Sequence, residues 1–395
     1  MESKPMKRIS LVISIFLILV IMFTGCTAKT GTPTTVTSTT ASTETTIPSN
    51  PEGKPVYEIE TLFESVYAKA NPSVVNIQVS LPASSFNTEG GGLGSGFVWD
   101  NQGNIVTNNH VTEDASRITV TFYDGSTVEA NLVGADADSD LAVIKVNMSD
   151  VNLNGIQLQP VEITDSTQLK VGQIAIAIGN PFGLQGTMTV GFISGLGRLI
   201  NANDSSIGPT YRIPDIIQTD AAINPGNSGG VLLDRTGKLI GVTNSIATST
   251  GTNAGVGFAI PSAIVQQVVP ALIESGHYDH PYLGISLISL TPDLSKAMGL
   301  LSTQRGALVE TVTADSPADK AGLQASENQI TINSQQVGIG GDVIIAFNGQ
   351  TIKSSDDLIT YLARSGVVGE TVTLTVLRDG KQTELQVILG SRPSS

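Results

Sequence analysis

The chain has 395 residues, enough for two or three domains, and carries 41 glycines with only 14% charged residues. That balance favours a turn-rich β protein over a helical one. Its formal charge of −14, from 35 acidic against 21 basic side chains, argues against a nucleic-acid binder, which needs clustered Lys and Arg to displace counterions.

In chain order, Lys4, Lys7 and Arg8 precede the apolar run ISLVISIFLILVIMF (9–23). A basic segment followed by about 15 apolar residues reads as an export signal and is somewhat short for a membrane span. Cys26, the one cysteine of the chain, follows at once. Its setting resembles a lipoprotein lipobox, which implies lipidation at Cys26; Phe23 replaces the usual aliphatic residue, and an uncleaved signal anchor is the other reading. Both place the body on the extracytoplasmic face of the cell membrane. Residues 27–56 are rich in Thr, Ser and Pro and cannot bury enough apolar surface to fold, so they read as a disordered tether.

Next, IETLFESVYAKANP repeats Leu62, Phe63, Val66 and Tyr67 at helical spacing, and Asn71–Pro72 ends that helix. From 73 to about 260, short apolar runs such as SVVNIQVS, DLAVIKV, QIAIAIG and VLLDRTGKLIGVTNSI alternate with turn signals. Roughly a dozen such strands suit a double Greek-key barrel or sandwich. PSAIVQQVVPALIESG (261–276) reads as a helix stopped by glycine. From 281 a second module of about five strands and two helices begins, a small α+β domain with its own core. The expected division is 1–26, 27–56, 57–276 and 277–395.

The stretch DAAINPGNSGG (220–230) concentrates the chemistry. Glycine costs backbone entropy, so Gly226, Gly229 and Gly230 around Ser228 need a reason. A serine hydroxyl attacks a carbonyl only when a neutral imidazole takes its proton and a carboxylate fixes that imidazole. His110 is the one histidine of the β-rich region; the others are His277 and His280. Asp136, Asp138 and Asp140 compete for the third role. Asp140 abuts the apolar strand LAVIKV, whereas Asp136 and Asp138 read as solvated turn residues. A glycine-rich turn can aim backbone amides at a developing oxyanion, with Gly226, Asn227 and Ser228 as the candidates. With three histidines and no cysteine beyond Cys26, no metal site and no cofactor is expected, and HYDH (277–280) reads as a surface cluster. GGGLGSGF (90–97) lacks the GK[ST] of a phosphate loop.

TNNHV, DLAVIKV, GNPFGL, QTDAAINPGNSGG and GVGFAIP, in this order, resemble the trypsin-like HtrA/Deg serine proteases, and the C-terminal module resembles the PDZ domain of that family. The resemblance covers about 57–390. It implies a mostly β fold, a trypsin-like double six-stranded β-barrel followed by a small α+β PDZ domain. It also implies His110 as base, Asp140 as orienting acid and Ser228 as nucleophile. Asn227 stands where digestive relatives keep aspartate, so activation by cleavage is not implied. VTNS (242–245) stands where family members often have Ile-Asn-Thr. Ala222 replaces the acid of enzymes that cut after Lys or Arg, and with Ile223 and Ile246 it implies a small apolar pocket. YLGIS places Tyr282, Leu283, Gly284 and Ile285 in the loop that captures a peptide's C-terminal carboxylate. QASENQITINSQQVGIG (324–340) is an insertion read as an extra hairpin. The expected function is ATP-independent, PDZ-regulated endopeptidase action on unfolded or damaged proteins by a homotrimer. The other reading is a chaperone-like binding protein with a dormant triad.

Overall fold

The computed structural model describes residues 54–82, 91–153, 155–180, 186–201, 212–244, 255–332 and 334–393. The export segment, Cys26 and the tether up to 53 lie outside these residues. Among the described residues no helix is long and apolar enough to cross a membrane.

Helix α1 (Lys54–Ala70) buries Val66 and Ala70 and lays Phe63 and Tyr67 against the core. It begins inside the stretch assigned to the tether. Pro55 sits in its first turn, where a missing N–H costs no helical bond. The short turn Asn71–Ser73 then leads into the first strand.

Twelve strands form two closed six-stranded barrels. The first holds β1 (Val74–Ser80), β2 (Gly91–Val98), β3 (Asn104–Thr107), β4 (Arg117–Thr121), β5 (Thr127–Asp136) and β6 (Leu141–Val146), in the order β1-β2-β3-β6-β5-β4. The one-turn helix α2 (Asn109–Thr112) follows β3, and α3 (Met148–Leu153) follows β6. The second holds β7 (Ile174–Gly179), β8 (Thr187–Asn201), β9 (Arg212–Thr219), β10 (Val231–Leu233), β11 (Leu239–Asn244) and β12 (Gly257–Pro261), in the order β10-β11-β12-β9-β8-β7.

The nearly continuous apolar runs of β6, interrupted at the exposed Lys145, and β7 have a geometric cause. Successive strand side chains point to opposite faces, so a strand buried on both faces cannot alternate with polar residues. On β6, Ile144 and Val146 join the cluster of the first barrel with Ile77, Ile105 and Phe122. Leu141 and Val143 join a second cluster with Ile176, Ile178, Val231 and Val242, which fastens the barrels together. Helix α4 (Ser262–Ser275) adds Val265, Val268, Val269 and Leu272 to that seam, each contributing about 1.5–3 kcal/mol by burial. Gly276 ends it at φ +81°, donating its N–H to Leu272 O.

The C-terminal module has β13 (Pro281–Tyr282), β14 (Ile285–Ser289), α5 (Pro292–Ala297), β15 (Ala307–Val312), α6 (Pro317–Lys320), β16 (Asn328–Ile332), β17 (Gln335–Ile339), β18 (Val343–Phe347), β19 (Gln350–Thr351), α7 (Ser355–Ser365), β20 (Thr371–Arg378), β21 (Lys381–Ile388) and β22 (Gly390–Ser391). Its main sheet runs β14-β15-β18-β20-β21, with β19 beside β18. The insertion forms the hairpin β16–β17, whose Ile330, Ile332, Val337 and Ile339 pack beside Leu308 and Val343. Three helices occur where two were expected. Two of the three, capped by Thr291 and Ser316, are short segments of six and four residues, too short to show a helical period in sequence.

Candidate active site

His110 and Asp140 come from segments 30 residues apart and meet. The chain leaves β3 and turns at once into α2, which carries His110; Asp140 is the last turn residue before β6. Its φ of +53° lies in the left-handed region, which costs a non-glycine residue roughly 1–2 kcal/mol. Hydrogen bonds to its carbonyl hold it there, from Asn108 Nδ2 at 2.9 Å and Asn109 N at 3.1 Å.

The Asp140 carboxylate is buried and accepts three N–H groups. His110 N reaches Oδ1 at 3.0 Å, while His110 Nδ1 and Asn244 Nδ2 each reach Oδ2 at 2.8 Å. An ionised carboxylate only accepts, so Nδ1 carries the proton and Nε2 of the neutral ring is left basic. The imidazole is 36% exposed and the carboxylate 5%, so a buried acid anchors a ring that solvent and substrate can reach.

Ser228 lies in the turn between β9 and β10 and is buried. Gly226 and Gly229 have φ +96° and +83°. A Cβ on Gly229 would lie 2.2 Å from Ser95 O, 2.3 Å from Thr107 Oγ1 and 3.1 Å from Asn108 N. The turn is therefore pressed against β2 and the segment that leads into His110. Gly229→Ala should cost about 2–5 kcal/mol, combining strain and overpacking. Gly155→Ala, at φ +68° with open space around it, should cost only about 1 kcal/mol. Thermal unfolding of the two variants checks this; equal losses would remove contact as the cause.

The Asn227 amide donates to Asn224 O at 2.9 Å. It is spent inside the turn, which corrects the expectation that this amide faces a substrate oxygen. The Asn227 side chain is buried, its Oδ1 packed over Gly179.

Ala222 is half-buried, and its carbonyl accepts from Thr189 Oγ1 at 2.9 Å. Ile223 is buried against Gly257, where a Cβ would come within 2.8 Å of its Cδ1. Ile246 lies outside the described residues. In the C-terminal module, Gly284 has φ +83°, and a Cβ there would lie 2.3 Å from Ser316 Cβ. The carbonyls of Leu283 and Gly284 turn toward the body, accepting from Ala318 N and Thr313 N at 2.9 and 2.8 Å. Ile285 opens β14, an edge strand of the main sheet beside α7, and Tyr282 pairs with Gly390.

Contacts at two places tie the modules together. Arg364 of α7 pairs through both nitrogens with Asp215 of β9, and Gln267 of α4 donates to Arg364 O. His280 Nε2 bonds Asp136 at 2.9 Å, and Arg392 Nη1 bonds Asp138 Oδ2 at 2.7 Å. The readings of HYDH as a surface cluster and of Asp136 as a solvated residue are corrected for these two. His280 is 13% exposed and Asp136 9%, because the segment between the modules folds back over the β5–β6 turn. His277 stays exposed. Ligand atoms of Asp136, Asp138 and His280 lie within 4.8 Å of one another, with the Arg392 cation already bonded to Asp138.

Two closed six-stranded barrels with a hydrogen-bonded His–Asp pair, followed by a small α+β domain, define a trypsin-like peptidase fold with an appended PDZ domain. Residues 94–242 match the trypsin-like peptidase domain and 281–389 the PDZ domain. The chain is 43% identical over 307 residues to "Protease Do-like 1, chloroplastic" of Arabidopsis thaliana, covering 76% of this chain and 64% of that protein. It is 38% identical over 301 residues to "Probable periplasmic serine endoprotease DegP-like" of Brucella suis, covering 76% and 53%. The chain thus spans between half and two thirds of the length of these relatives. Among solved structures, the HtrA-type protease AlgW with a decapeptide superposes with TM-score 0.63 at 32% identity, over 84% of this chain and 99% of that one. The chain belongs to the HtrA family of trypsin-like serine proteases.

Proposed function

We propose that this chain is an ATP-independent serine endopeptidase of the cell envelope that cuts unfolded or damaged proteins. The observation that carries the reading is the His110 Nδ1–Asp140 Oδ2 bond beside the glycine turn of Ser228. His110 Nε2 takes the Ser228 hydroxyl proton as Oγ attacks the scissile carbonyl, and the Gly226 and Ser228 amides receive the oxyanion. The imidazolium then protonates the leaving amine, and water, activated by the same ring, hydrolyses the acyl-enzyme. Asp140 stabilises the imidazolium without itself taking the proton.

Ala222, Ile223 and Ile246 favour cleavage after aliphatic residues such as Val, Ile, Leu or Ala. Unfolded chains expose such residues and folded ones hide them, which supports a quality-control role. Relatives named periplasmic support an extracytoplasmic location, with anchoring through the N-terminal segment and Cys26, and a homotrimer is the proposed assembly. The Tyr282–Ile285 loop and edge strand β14 take substrate C-termini by strand addition, and this capture delivers substrate or favours the active arrangement.

A serine-directed phosphonate should label Ser228 alone, located by peptide mass mapping, with parallel loss of casein digestion. Full digestion after complete labelling would refute the assignment, and absence of both labelling and digestion would favour a dormant binding protein. Removing residues 281–395 should slow cleavage of an unfolded protein while sparing a short peptide. An unchanged rate and selectivity would sink the regulatory role.

A further inference from the structure

We infer that two buried hydroxyls outside the triad, those of Ser95 and Thr243, clamp the nucleophile turn and hold the Ser228 amide in place for the oxyanion before substrate arrives. The inference rests on the reading of Ser228 as nucleophile. Both side chains act through the turn, so they are positioning residues.

Ser95 lies on β2 in the first barrel with no exposed surface, yet its bonds reach into the second barrel. Its Oγ donates to Gly226 O at 2.6 Å and accepts from Asn180 N at 2.8 Å, just beyond β7. Its backbone N–H donates to Ser228 O at 2.8 Å. Its own carbonyl accepts from Thr107 Oγ1 at 2.7 Å, which ties it to β3. One residue therefore grips the carbonyls on both sides of Asn227.

Thr243, fully buried on β11, closes the other side. Its Oγ1 donates to Asn227 O at 2.5 Å, and Gly230 N donates to the same oxygen at 2.9 Å. Its backbone exchanges two further bonds with the turn, accepting from Gly229 N and donating to Gly230 O, each at 2.9 Å.

Peptide planarity turns these grips into aim. In a trans peptide the carbonyl and the following N–H point in opposite directions. Pinning Asn227 O therefore fixes the direction of the Ser228 N–H. Pinning Gly226 O likewise fixes the Asn227 N–H, which shares its peptide plane. The Asn227 N–H leaves for Asn224 O on the far side. A Ser228 N–H held this way needs no rearrangement when charge develops on the substrate oxygen, which is where electrostatic preorganisation acts. The two hydroxyls come from different barrels, so the turn that carries Ser228 is held from both barrels at once.

The test uses the full chain with Ser95→Ala, Thr243→Val and Thr243→Ser, next to wild type and Ser228→Ala. A peptide substrate gives kcat and KM. The matching peptidyl boronate, which forms a tetrahedral adduct on a serine, gives an inhibition constant that senses the oxyanion site. Ser95→Ala and Thr243→Val should each lower kcat on the order of 10- to 100-fold with KM little changed, and weaken the boronate in proportion. Thr243→Ser keeps the hydroxyl and should restore most of both. Wild-type kcat and boronate affinity in Ser95→Ala and Thr243→Val would overturn the clamp while leaving the triad reading intact. So would a loss confined to KM, or a Thr243→Ser variant as impaired as Thr243→Val. Activity surviving in Ser228→Ala would overturn both. Should Ser95→Ala fail to fold by circular dichroism, the Thr243 pair decides the question.

Discussion

Ser228→Ala should lower turnover of an unfolded protein about a millionfold, and adding His110→Ala should take away almost nothing more. The two residues act as one unit: without the hydroxyl there is no proton for His110 Nε2 to accept. The hydrogen bonds that Asp140 takes from His110 and Asn244 then orient a base with no task. Any remaining rate comes from substrate binding and the oxyanion amides, and KM should stay near the wild-type value. Steady-state kinetics of both single variants and the double variant check this. Multiplicative losses would mean that Ser228 and His110 serve separate steps and would refute the shared mechanism.

Arg364→Ala should destabilise the protein by about 3–5 kcal/mol, the usual cost of leaving one partner of a buried ion pair alone. Asp215 is 2% exposed and sits at φ +62° on β9, while Arg364 reaches it from α7 of the C-terminal module. Burial pushes the Asp215 carboxyl above the ordinary carboxylate range, and the Arg364 guanidinium offsets part of that rise. A raised folded-state pKa means that the folded protein holds the proton more tightly than the unfolded chain. Its contribution favours folding below the unfolded pKa and is lost as pH rises through the folded one. Removing Arg364 enlarges the rise, so the deficit of the variant should be greatest at neutral and alkaline pH and shrink on acidification, as Asp215 becomes neutral. Urea unfolding of both proteins across a pH series tests this; a deficit independent of pH would show that lost packing, not the buried charge, is responsible. Arg364→Lys should fall between the two, since an ammonium keeps the charge but not the two-pronged geometry.

Much of the fold is legible in the sequence because barrel strands announce themselves locally. DLAVIKV and QIAIAIG read as apolar strands between turn signals, and the structure shows residues of both in the seam between the barrels. The insertion at 324–340 reads as a hairpin and is one. Helix α1 begins inside the stretch assigned to the tether, which composition alone marks off; Pro55 is harmless in a first turn.

At the site, scarcity carries the reading. With one histidine in the β-rich region and one serine among three glycines, His110 and Ser228 stand out by elimination, and the apolar strand behind Asp140 marks it among its neighbours. The supporting residues carry no such mark. Ser95 sits in GSGF, a stretch that attracts attention only as a phosphate-loop decoy, and Asn244 sits in VTNS as an apparent departure from the family pattern. Asp136 and His280 are 144 positions apart, and neither hints at the other.

The residue types, the run of strands and the one candidate base–nucleophile combination follow from the sequence alone, because each depends on local period or on counting. Which residues of β2 and β11 grip the turn of Ser228, which side chains hold Asp140 in its left-handed turn, and how α7 docks on β9 are decided only by tertiary structure. Those choices rest on hydrogen bonds between segments up to 149 residues apart. Such bonds form only when barrel closure has fixed distance and direction together, and neither is written in the period of any single segment.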